Sequence, residues 1–434
     1  VAYEALSPAA RRRNHLLIAE ALLKLHKRDP DAVSGEVARH YDRAGRVDDA
    51  VTWYRRAAVQ AQRLHAYIEA VQLLDRARAI ITTLPEGIAR LNLELEIVSE
   101  LAIPLAVAEG FASARLAQTQ RRAVELATTL GIDAEPPLLR SLAMSNLCRK
   151  DFDGASAVAG RLRRLADHVS DDVLLIESEY LSGIAAFWDG RFQTARRHLE
   201  QVVNQFTPGR RPEHLARFGH DPSIVCLSRL ANTLWFLGHP NDARRACHDA
   251  VAMATELAHP FSRGVAHVFA ALLSIDLGET AHYREYVDAL TADFEDQAWH
   301  WIASGAFHGY ADVLEGRADE GIGHIRRMVE THHSIDQAPG QHAMVMRLLV
   351  AAYDAADDAD GGLGAADEAL LLDGTRIWEA ELRRLRAKFL AACGAPAVEL
   401  DAELARAADV ARHQGAAGLE RRIERSRSEL LEKT

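Results

Sequence analysis

The chain has few aromatic residues for its size. Phe, Trp and Tyr together make up 6% of the 434 residues, whereas hydrophobic residues of all kinds make up 48%. A chain of this length can bury a large core, and this core must consist mainly of Leu, Ala and Val. The numbers of proline and glycine residues are also modest, at 13 and 27. Because Ala, Leu, Glu and Arg are strong helix formers, the composition predicts an all-α fold.

The chain also has few cysteines and no long apolar run. Its four cysteines, Cys148, Cys226, Cys247 and Cys393, are too scattered for a Cys-x-x-Cys zinc or redox pair. Such usage fits a reducing compartment. No segment approaches the ~20 uninterrupted apolar residues of a membrane span, and the amino terminus lacks the pattern of a signal peptide. We therefore expect a soluble, cytoplasmic protein with no membrane partner.

An excess of positive charge is missing as well. The chain carries 62 acidic and 51 basic residues, for a formal charge of -11. A broad nucleic-acid-binding surface needs a net excess of Lys and Arg on one face. The short basic runs at residues 11–13 and 421–429 are mixed with apolar or acidic neighbours, which is typical of a solvated helix face. We expect no direct contact with nucleic acid.

One pattern recurs along the chain. It consists of a helix, a turn built around Gly or Asp, and a second helix that contains Ala. The clearest copies occupy residues 41–58, 186–203, 233–251, 273–290 and 310–329, and their turn glycines Gly190, Gly238, Gly278 and Gly316 are 48, 40 and 38 residues apart. This period is typical of helical-hairpin repeats, in which each hairpin leaves an apolar side that only the next hairpin covers.

About ten hairpins of this period account for the whole chain, and the strongest interruption is a pair of prolines. Pro136 and Pro137 lie within residues 130–139, and they forbid a helix from continuing through them. We therefore predict two lobes of helical repeats, an amino-terminal lobe over 1–130 and a carboxy-terminal lobe over 138–434.

Six stretches of the chain together resemble the tetratricopeptide-like carboxy-terminal sensor region of large bacterial regulators. Those regulators carry a STAND-type ATPase, often with an upstream nucleotidyl cyclase or a terminal LuxR-type helix-turn-helix. The stretches are HYDRAGRVDDAVTWYRRAA, FGHDPSIVCLSRLANTLWFLGHPNDA, ELAHPFSRGVAHVFAALLSIDLG, GYADVLEGRADEGIGHIRRMV, TRIWEAELRRLRAKFL and ARHQGAAGLERRIERSRSEL. The resemblance implies an all-α, tetratricopeptide-like, right-handed superhelical solenoid of about ten hairpins.

The same resemblance implies a function. It points to a non-catalytic scaffold that serves protein–protein interaction or inducer sensing in a bacterial signalling or transcriptional regulator, with an upstream ATPase or cyclase domain as a partner. The chain departs from the full regulators because it has no G-x-x-x-x-G-K-[ST] motif to hold a nucleotide triphosphate. We also expect no cyclase domain within this chain and no helix-turn-helix after its last repeat. Two alternatives are a regulatory fragment of a nucleotidyl cyclase or ATPase and transcription control through a fused DNA-binding domain.

The segment FGHDPSIVC, at residues 218–226, combines a His, an Asp and a Cys that an enzyme could use. On a shared helix His220 and Cys226 are six positions apart, so their side chains point to different faces. Asp221 followed by Pro222 is typical of a helix start, with the carboxylate capping free amides and Pro in the first turn. The segment therefore predicts a structural turn, with Cys226 in a buried stripe.

Other catalytic and metal patterns are weak. The histidines His324, His332, His333 and His342 lack the spacing of three or four that a helical metal pair needs. There is no G-x-S-x-G motif. A pair of catalytic carboxylates stays open, because Asp and Glu are numerous and nothing singles out two of them. We expect no enzymatic activity, no metal and no cofactor.

A groove along the inner helices of the solenoid is the predicted binding site, for a protein segment or a small-molecule inducer. Tryptophan and arginine make effective anchors in such a groove. The candidate residues are Arg244, Arg245, His259, Arg263, Trp299 and His300. A plainer alternative gives His259-Pro260 and Glu379–Glu381 the role of contacts between helices, and has most tryptophans fill gaps between hairpins.

Overall fold

The computed structural model describes residues 6–64, 66–218, 220–293, 303–331, 340–372 and 376–432. Within these ranges it contains 22 α-helices and no strand, which confirms the all-α prediction. Contacts divide the chain into two compact units, Val1–Ser145 and Asn146–Thr434. The predicted lobe boundary at 130–138 stays a prediction, because compactness alone does not establish where independently folding domains end.

The first unit is a sequential stack of helices. The helices are α1 (Pro8–Leu25), α2 (Ser34–Ala44), α3 (Val47–Arg63), α4 (Tyr67–Ile81), α5 (Ile88–Glu109), α6 (Ala114–Leu130) and α7 (Pro136–Cys148), the last of which runs across the boundary. From α1 to α6 each helix packs against the next one along the chain. Pro136 and Pro137 begin α7, where their missing amide hydrogens cost nothing.

The second unit contains the remaining helices. They are α8 (Phe152–Val169), α9 (Asp172–Trp188), α10 (Phe192–Gln205), α11 (Arg211–Phe218), α12 (Pro222–Phe236), α13 (Pro240–Leu257), α14 (Pro260–Leu277), α15 (Tyr283–Asp293), α16 (His308–Leu314), α17 (Ala318–Thr331), α18 (Gln341–Ala355), α19 (Ala359–Leu371), α20 (Glu379–Ala392), α21 (Ala397–Gln414) and α22 (Ala417–Leu431). A short π-helix, Ala303–Phe307, precedes α16.

Six hairpins in the described part of the second unit turn through Gly or Asp with positive φ, and other helix pairs of this unit turn through Ser170, Ala258 and Gly415 in the same region of φ. The pairs are α9/α10, α12/α13, α14/α15, α16/α17, α18/α19 and α20/α21. Their turn residues are Gly190, Gly238, Gly278, Gly316, Asp357 and Gly394, with φ between 56° and 88°. Glycine adopts this left-handed conformation at little cost, and Asp is one of the few other residues that tolerate it. The turn glycines predicted from the repeat are therefore confirmed.

The two helices of a hairpin differ in how they are buried. In the hairpin α12/α13, every residue of α12 is buried, whereas α13 is buried only along Ala243, Ala246, Ala250 and Ala254. The alanines recur at spacings of three and four, so they form one narrow face on which the partner helix approaches closely. We call the helices α9, α12, α14, α18 and α20 the inner helices of the second unit.

The end of α9 and the turn of hairpin α12/α13 are covered by the carboxy-terminal part of the same unit. The Trp188 and Trp378 rings meet edge to face with centroids 6.1 Å apart. Arg421 Nη2 donates to the backbone carbonyl of Gly238 at 2.9 Å, so the start of α22 lies against the turn of hairpin α12/α13. The repeat pattern predicts an open groove here. The difference arises because α12 has a single charged residue, Arg229, and a helix without a polar face requires cover on all sides.

Among the described helices, none combines the length and the apolar character that crossing a membrane requires.

Candidate binding site

The segment FGHDPSIVC forms a helix start, as predicted. Asp221 is fully buried, and its Oδ1 accepts hydrogen bonds from the backbone amides of Ser223 at 2.9 Å and Ile224 at 3.1 Å. The Ser223 hydroxyl donates to the same oxygen at 2.6 Å, and Arg211 donates to Oδ2. These contacts saturate the carboxylate, so its role is to cap α12 and to hold the segment before it.

Cys226 and His220 do not form a nucleophile and base. Burial raises the pKa of the Cys226 thiol well above its ordinary value, which disfavours the thiolate. The His220 ring instead lies 4.5 Å from the Tyr180 ring, and its Nε2 lies 3.4 Å from the Glu177 carboxylate. Both side chains are enclosed in the core of the second unit, where they pack and pair rather than face solvent.

A buried charge cluster joins four helices of the second unit. Arg347 of α18 donates to Asp276 of α14 at 3.0 Å and lies 3.9 Å from Glu381 of α20. Arg384 binds both oxygens of Glu381, at 2.8 and 2.9 Å. Arg422 of α22 donates to Glu381 at 3.1 Å and to the backbone carbonyl of Asp276. The cluster therefore ties the carboxy-terminal helices to the inner helices.

The two carboxyls of this cluster respond differently to their surroundings. Burial would raise the pKa of Glu381, but Arg384, Arg422 and Arg347 outweigh it and hold that pKa below the usual range. Burial dominates at Asp276 and raises its pKa, although Arg347 and Arg422 oppose the change. Glu381 is thus the anion on which the three arginines converge. Its enclosure leaves no access for a substrate, so the cluster is structural.

A cavity of about 320 Å³ opens between α13, α14 and α15. The outer helices α13 and α15 form its sides, and one face of the inner helix α14 forms its floor. Most of the lining is apolar, and the apolar residues are Val251, Ala252, Ala270, Leu273, Leu277 and the ring of Tyr286. The volume and the lining fit a small-molecule site.

Polar groups converge on this cavity from two helices and one turn. Arg244 Nε and Nη2 donate to Glu279 at distances from 2.5 to 3.2 Å, which places an ion pair in the cavity wall. Cys247 also lines the cavity, and burial raises its pKa to about 11. Burial, and next the nearby Cys247, raise the pKa of the Tyr286 hydroxyl. Both groups are neutral at physiological pH, so the charged pair in the lining is Arg244 and Glu279. Two histidines, His248 and His282, also line the cavity.

The structure brings only one of the described candidate groove residues into this cavity. Arg244 lines it, whereas the adjacent Arg245 is exposed and pairs with Asp242 one turn earlier in the same helix. Arg244 and Arg245 thus point in different directions despite being neighbours, as expected for consecutive helix positions.

The other candidates lie elsewhere or are not described. His259 caps α14 by accepting a hydrogen bond from the amide of Ser262 at 3.4 Å, and half-buried Arg263 follows in the first turn. Arg244 is 13 positions before Leu257, the last residue of α13, which corresponds to roughly 20 Å along the helix, and His259 follows that end. The two ends of α13 are therefore separate locations. Trp299 and His300 lie outside the described residues.

Sequence reasoning missed Cys247, His248 and Tyr286. The first two share a helix face with Arg244 and Val251, at spacings of three and four, so the pattern was present in the sequence. No local feature of the sequence indicates that the distance between α13 and α15 is large enough to leave a cavity. Among the described residues, no group of three or more His, Cys, Asp or Glu side chains comes close enough to hold a metal ion.

Residues 223–259 match the tetratricopeptide repeat family, and the match comprises nearly all of hairpin α12/α13. The chain is 25% identical over 416 residues to the uncharacterized protein R02095 of Rhizobium meliloti (strain 1021), which is 92% of this chain and 39% of that protein. The chain thus spans about two fifths of the length of this relative.

Two solved structures are similar to this chain at low identity. One is a Rap protein complexed with competence and sporulation factor, which is 13% identical, with 88% of this chain and 99% of that chain covered and a TM-score of 0.42. The other is the Cut9–Hcn1 hetero-tetramer, which is 16% identical, with 96% and 84% covered and a TM-score of 0.43.

Proposed function

We propose that this chain is a non-catalytic tetratricopeptide-type scaffold that serves protein–protein interaction or inducer sensing in a bacterial signalling or transcriptional regulator. Binding of a protein segment or a small inducer shifts the scaffold between states and so controls an output domain, such as an ATPase or a cyclase, elsewhere in the regulator. A ligand has this effect only if it binds one state more tightly than the other. The proposed localisation of this regulator is the cytoplasm.

The observation that carries the proposal is that three potentially reactive side chains of the second unit have structural roles. Asp221 caps a helix, Cys226 is enclosed as a neutral thiol, and Glu381 is held by arginines. Each of these three groups thus has a structural role. The tetratricopeptide match at 223–259 and the greater length of the bacterial relative also support a module that works beside other domains.

The test has two arms. In the first, the purified chain is incubated with ATP and with GTP, and phosphate release and cyclic nucleotide formation are followed by chromatography. We expect neither product above the buffer control. Nucleotide turnover that a single substitution in this chain abolishes would establish an enzyme instead.

The second arm uses the longer Rhizobium meliloti relative, because it contains a counterpart of this chain. The relative is purified with and without the region that matches this chain, which is 39% of its length. We expect deletion to change the output activity or the partner binding of the remainder, and addition of the excised region to restore it. A remainder that behaves identically with and without the region contradicts a regulatory role.

A further inference from the structure

We propose that the cavity between α13, α14 and α15 binds a small amphipathic carboxylate, a molecule with an apolar body and one anionic head. The proposal rests on the second unit alone and does not depend on the regulatory role, because binding at this cavity is measurable on the isolated chain.

The apolar body is accommodated by the floor of the cavity. Leu273 and Leu277 lie one turn apart on α14, and Val251 faces them from α13. The volume of about 320 Å³ is at the lower end of the range for small-molecule sites, which selects a compact ligand rather than a protein segment. Burial of the ligand's apolar surface against these side chains supplies the driving force.

The head group is specified by Arg244. Its guanidinium already holds the carboxylate of Glu279 through two nitrogens, in the fork geometry that suits a carboxylate. Both partners of this pair are about half exposed, so Glu279 can be released to water at little cost. A ligand carboxylate then takes its place on Arg244.

The charge of the lining favours an anion over a cation. Of the described residues that line the cavity, Arg244, His248 and His282 bear or can accept a positive charge, and Glu279 is the carboxylate among them. Asp249 and Glu285 lie 3.5 and 3.2 Å from the two histidines, so Arg244 is the cation on which the selection of an anionic head depends. A cationic head would lie beside the Arg244 guanidinium and could pair with Glu279 only by displacing it, whereas an uncharged head would leave Arg244 with its present partner. We therefore expect ligands that share one apolar body to bind with different affinities when the head group is anionic, uncharged or cationic.

Cys247 provides a reporter inside the cavity, and Cys393 provides an internal control. Cys247 lines the cavity and is largely buried, whereas Cys393 is exposed in the turn that follows α20. A ligand in the cavity is expected to protect Cys247 from alkylation and to leave Cys393 unaffected. The remaining cysteines, Cys148 and Cys226, are buried.

The experiment measures binding of decanoate, decanol and decylamine to the full chain by titration calorimetry, below the concentrations at which they form micelles. Decanoate is expected to bind about ten-fold more tightly than decylamine, with decanol between them. Arg244→Ala is expected to weaken decanoate binding about ten-fold and to affect decanol little, whereas Arg245→Ala, at the adjacent exposed position, leaves both unchanged. Arg244→Lys keeps the charge without the fork and is expected to be intermediate.

Alkylation by N-ethylmaleimide, followed by mass spectrometry, locates the bound ligand. Decanoate is expected to slow modification of Cys247 several-fold and to leave the rate at Cys393 unchanged. The proposal is overturned if decanoate fails to bind, if decylamine binds equally well, if Arg245→Ala matches Arg244→Ala, or if Cys247 is not protected. Circular dichroism of each variant establishes that a lost affinity does not reflect unfolding.

Discussion

Trp188 and Trp378 lie 190 positions apart in the sequence, yet their rings meet edge to face with centroids 6.1 Å apart. Each ring is 1% exposed. Trp188 ends α9, and Trp378 ends the 3-10 helix before α20. In a purely one-dimensional repeat array each hairpin touches only its neighbours. The second unit departs from that scheme, because its last hairpins also contact its first ones.

The start of α22 provides a test of this long-range contact. Gly418 is the second residue of α22, and a Cβ there would overlap the carbonyl oxygen of Trp235. Gly418→Ala is therefore expected to lower the free energy of unfolding by about 1–3 kcal/mol. Urea unfolding of the full chain, followed by circular dichroism, measures the change.

Gly364→Ala is the matched control, since this helical position of α19 has no neighbouring atom within 4 Å of the added Cβ. For this variant we expect the free energy of unfolding to rise by about 0.5–1 kcal/mol, because Ala has a higher helix propensity than Gly. Equal effects at Gly418 and Gly364 would mean that α22 does not pack against α12.

Glu381 makes stability depend on pH. Glu381→Gln removes the anion on which Arg347, Arg384 and Arg422 converge, so we expect a loss of about 3–5 kcal/mol at neutral pH. The folded-state pKa of Glu381 lies below its ordinary value of 4.5. A depressed pKa stabilises the fold above the unfolded-state pKa, and this contribution is lost as pH falls through the folded-state pKa.

The stability difference between the natural chain and Glu381→Gln should therefore be constant above pH 4.5 and shrink below it. Asp276 has a raised pKa and the opposite dependence, and Glu381 is one cause of that rise, so the comparison is repeated in an Asp276→Asn background, where this titration is absent. Chemical unfolding over a series of pH values gives the comparison, with Glu424→Gln at an exposed position of α22 as the control. A difference that stays constant in acid would exclude Glu381 as a buried anion.

Asp221 combines a helix cap with an ion pair, and two substitutions separate them. Asp221→Asn keeps a side-chain oxygen for the amides of Ser223 and Ile224 but loses the charge that pairs with Arg211. Asp221→Ala loses both. We expect the Ala variant to be less stable than the Asn variant by about 1 kcal/mol, as measured by thermal unfolding. If the two variants have the same stability, the carboxylate does not act as a cap.

Thiol reactivity distinguishes a buried structural cysteine from a nucleophile. Burial raises the pKa of Cys226 well above normal, and Cys393 is exposed. N-ethylmaleimide is therefore expected to label Cys393 first, Cys247 slowly and Cys226 only after unfolding. Peptide mass spectrometry over time gives the order. Rapid labelling of Cys226 in the native chain would show that its thiol is accessible and reactive, which would contradict a purely structural role.

The sequence predicts the hairpins well because each depends on local chemistry. Gly238 marks a turn by its conformational freedom, Asp221-Pro222 marks a helix start, and Ala243 marks a close approach between helices. The coverage of the inner helices escapes prediction, since Arg421 and Gly238 are 183 positions apart and no periodicity relates them. The lack of a polar face on α12 is the one local feature that indicates cover.

The cavity escapes prediction for a related reason. The sequence predicts Arg244 as a binding residue, but its neighbours in space come from α14 and α15. The width of the gap between α13 and α15 depends on how consecutive hairpins pack, which is a property of side-chain shape rather than of spacing. The candidates Arg245 and His259 have the right residue types but lie on other parts of the surface.

Site-specific photo-crosslinking tests most directly whether the last helices of the second unit cover its inner helices. A benzophenone amino acid replaces Arg421, whose side chain contacts the backbone of Gly238. A second variant has the benzophenone amino acid at Ser428, which is exposed. Ser428 lies two turns further along α22, on nearly the same face as Arg421, about 20° away around the helix axis. Irradiation of the native chain is expected to join position 421, but not 428, to the turn between α12 and α13. No adduct at that turn, or equal adducts from both positions, would contradict the account.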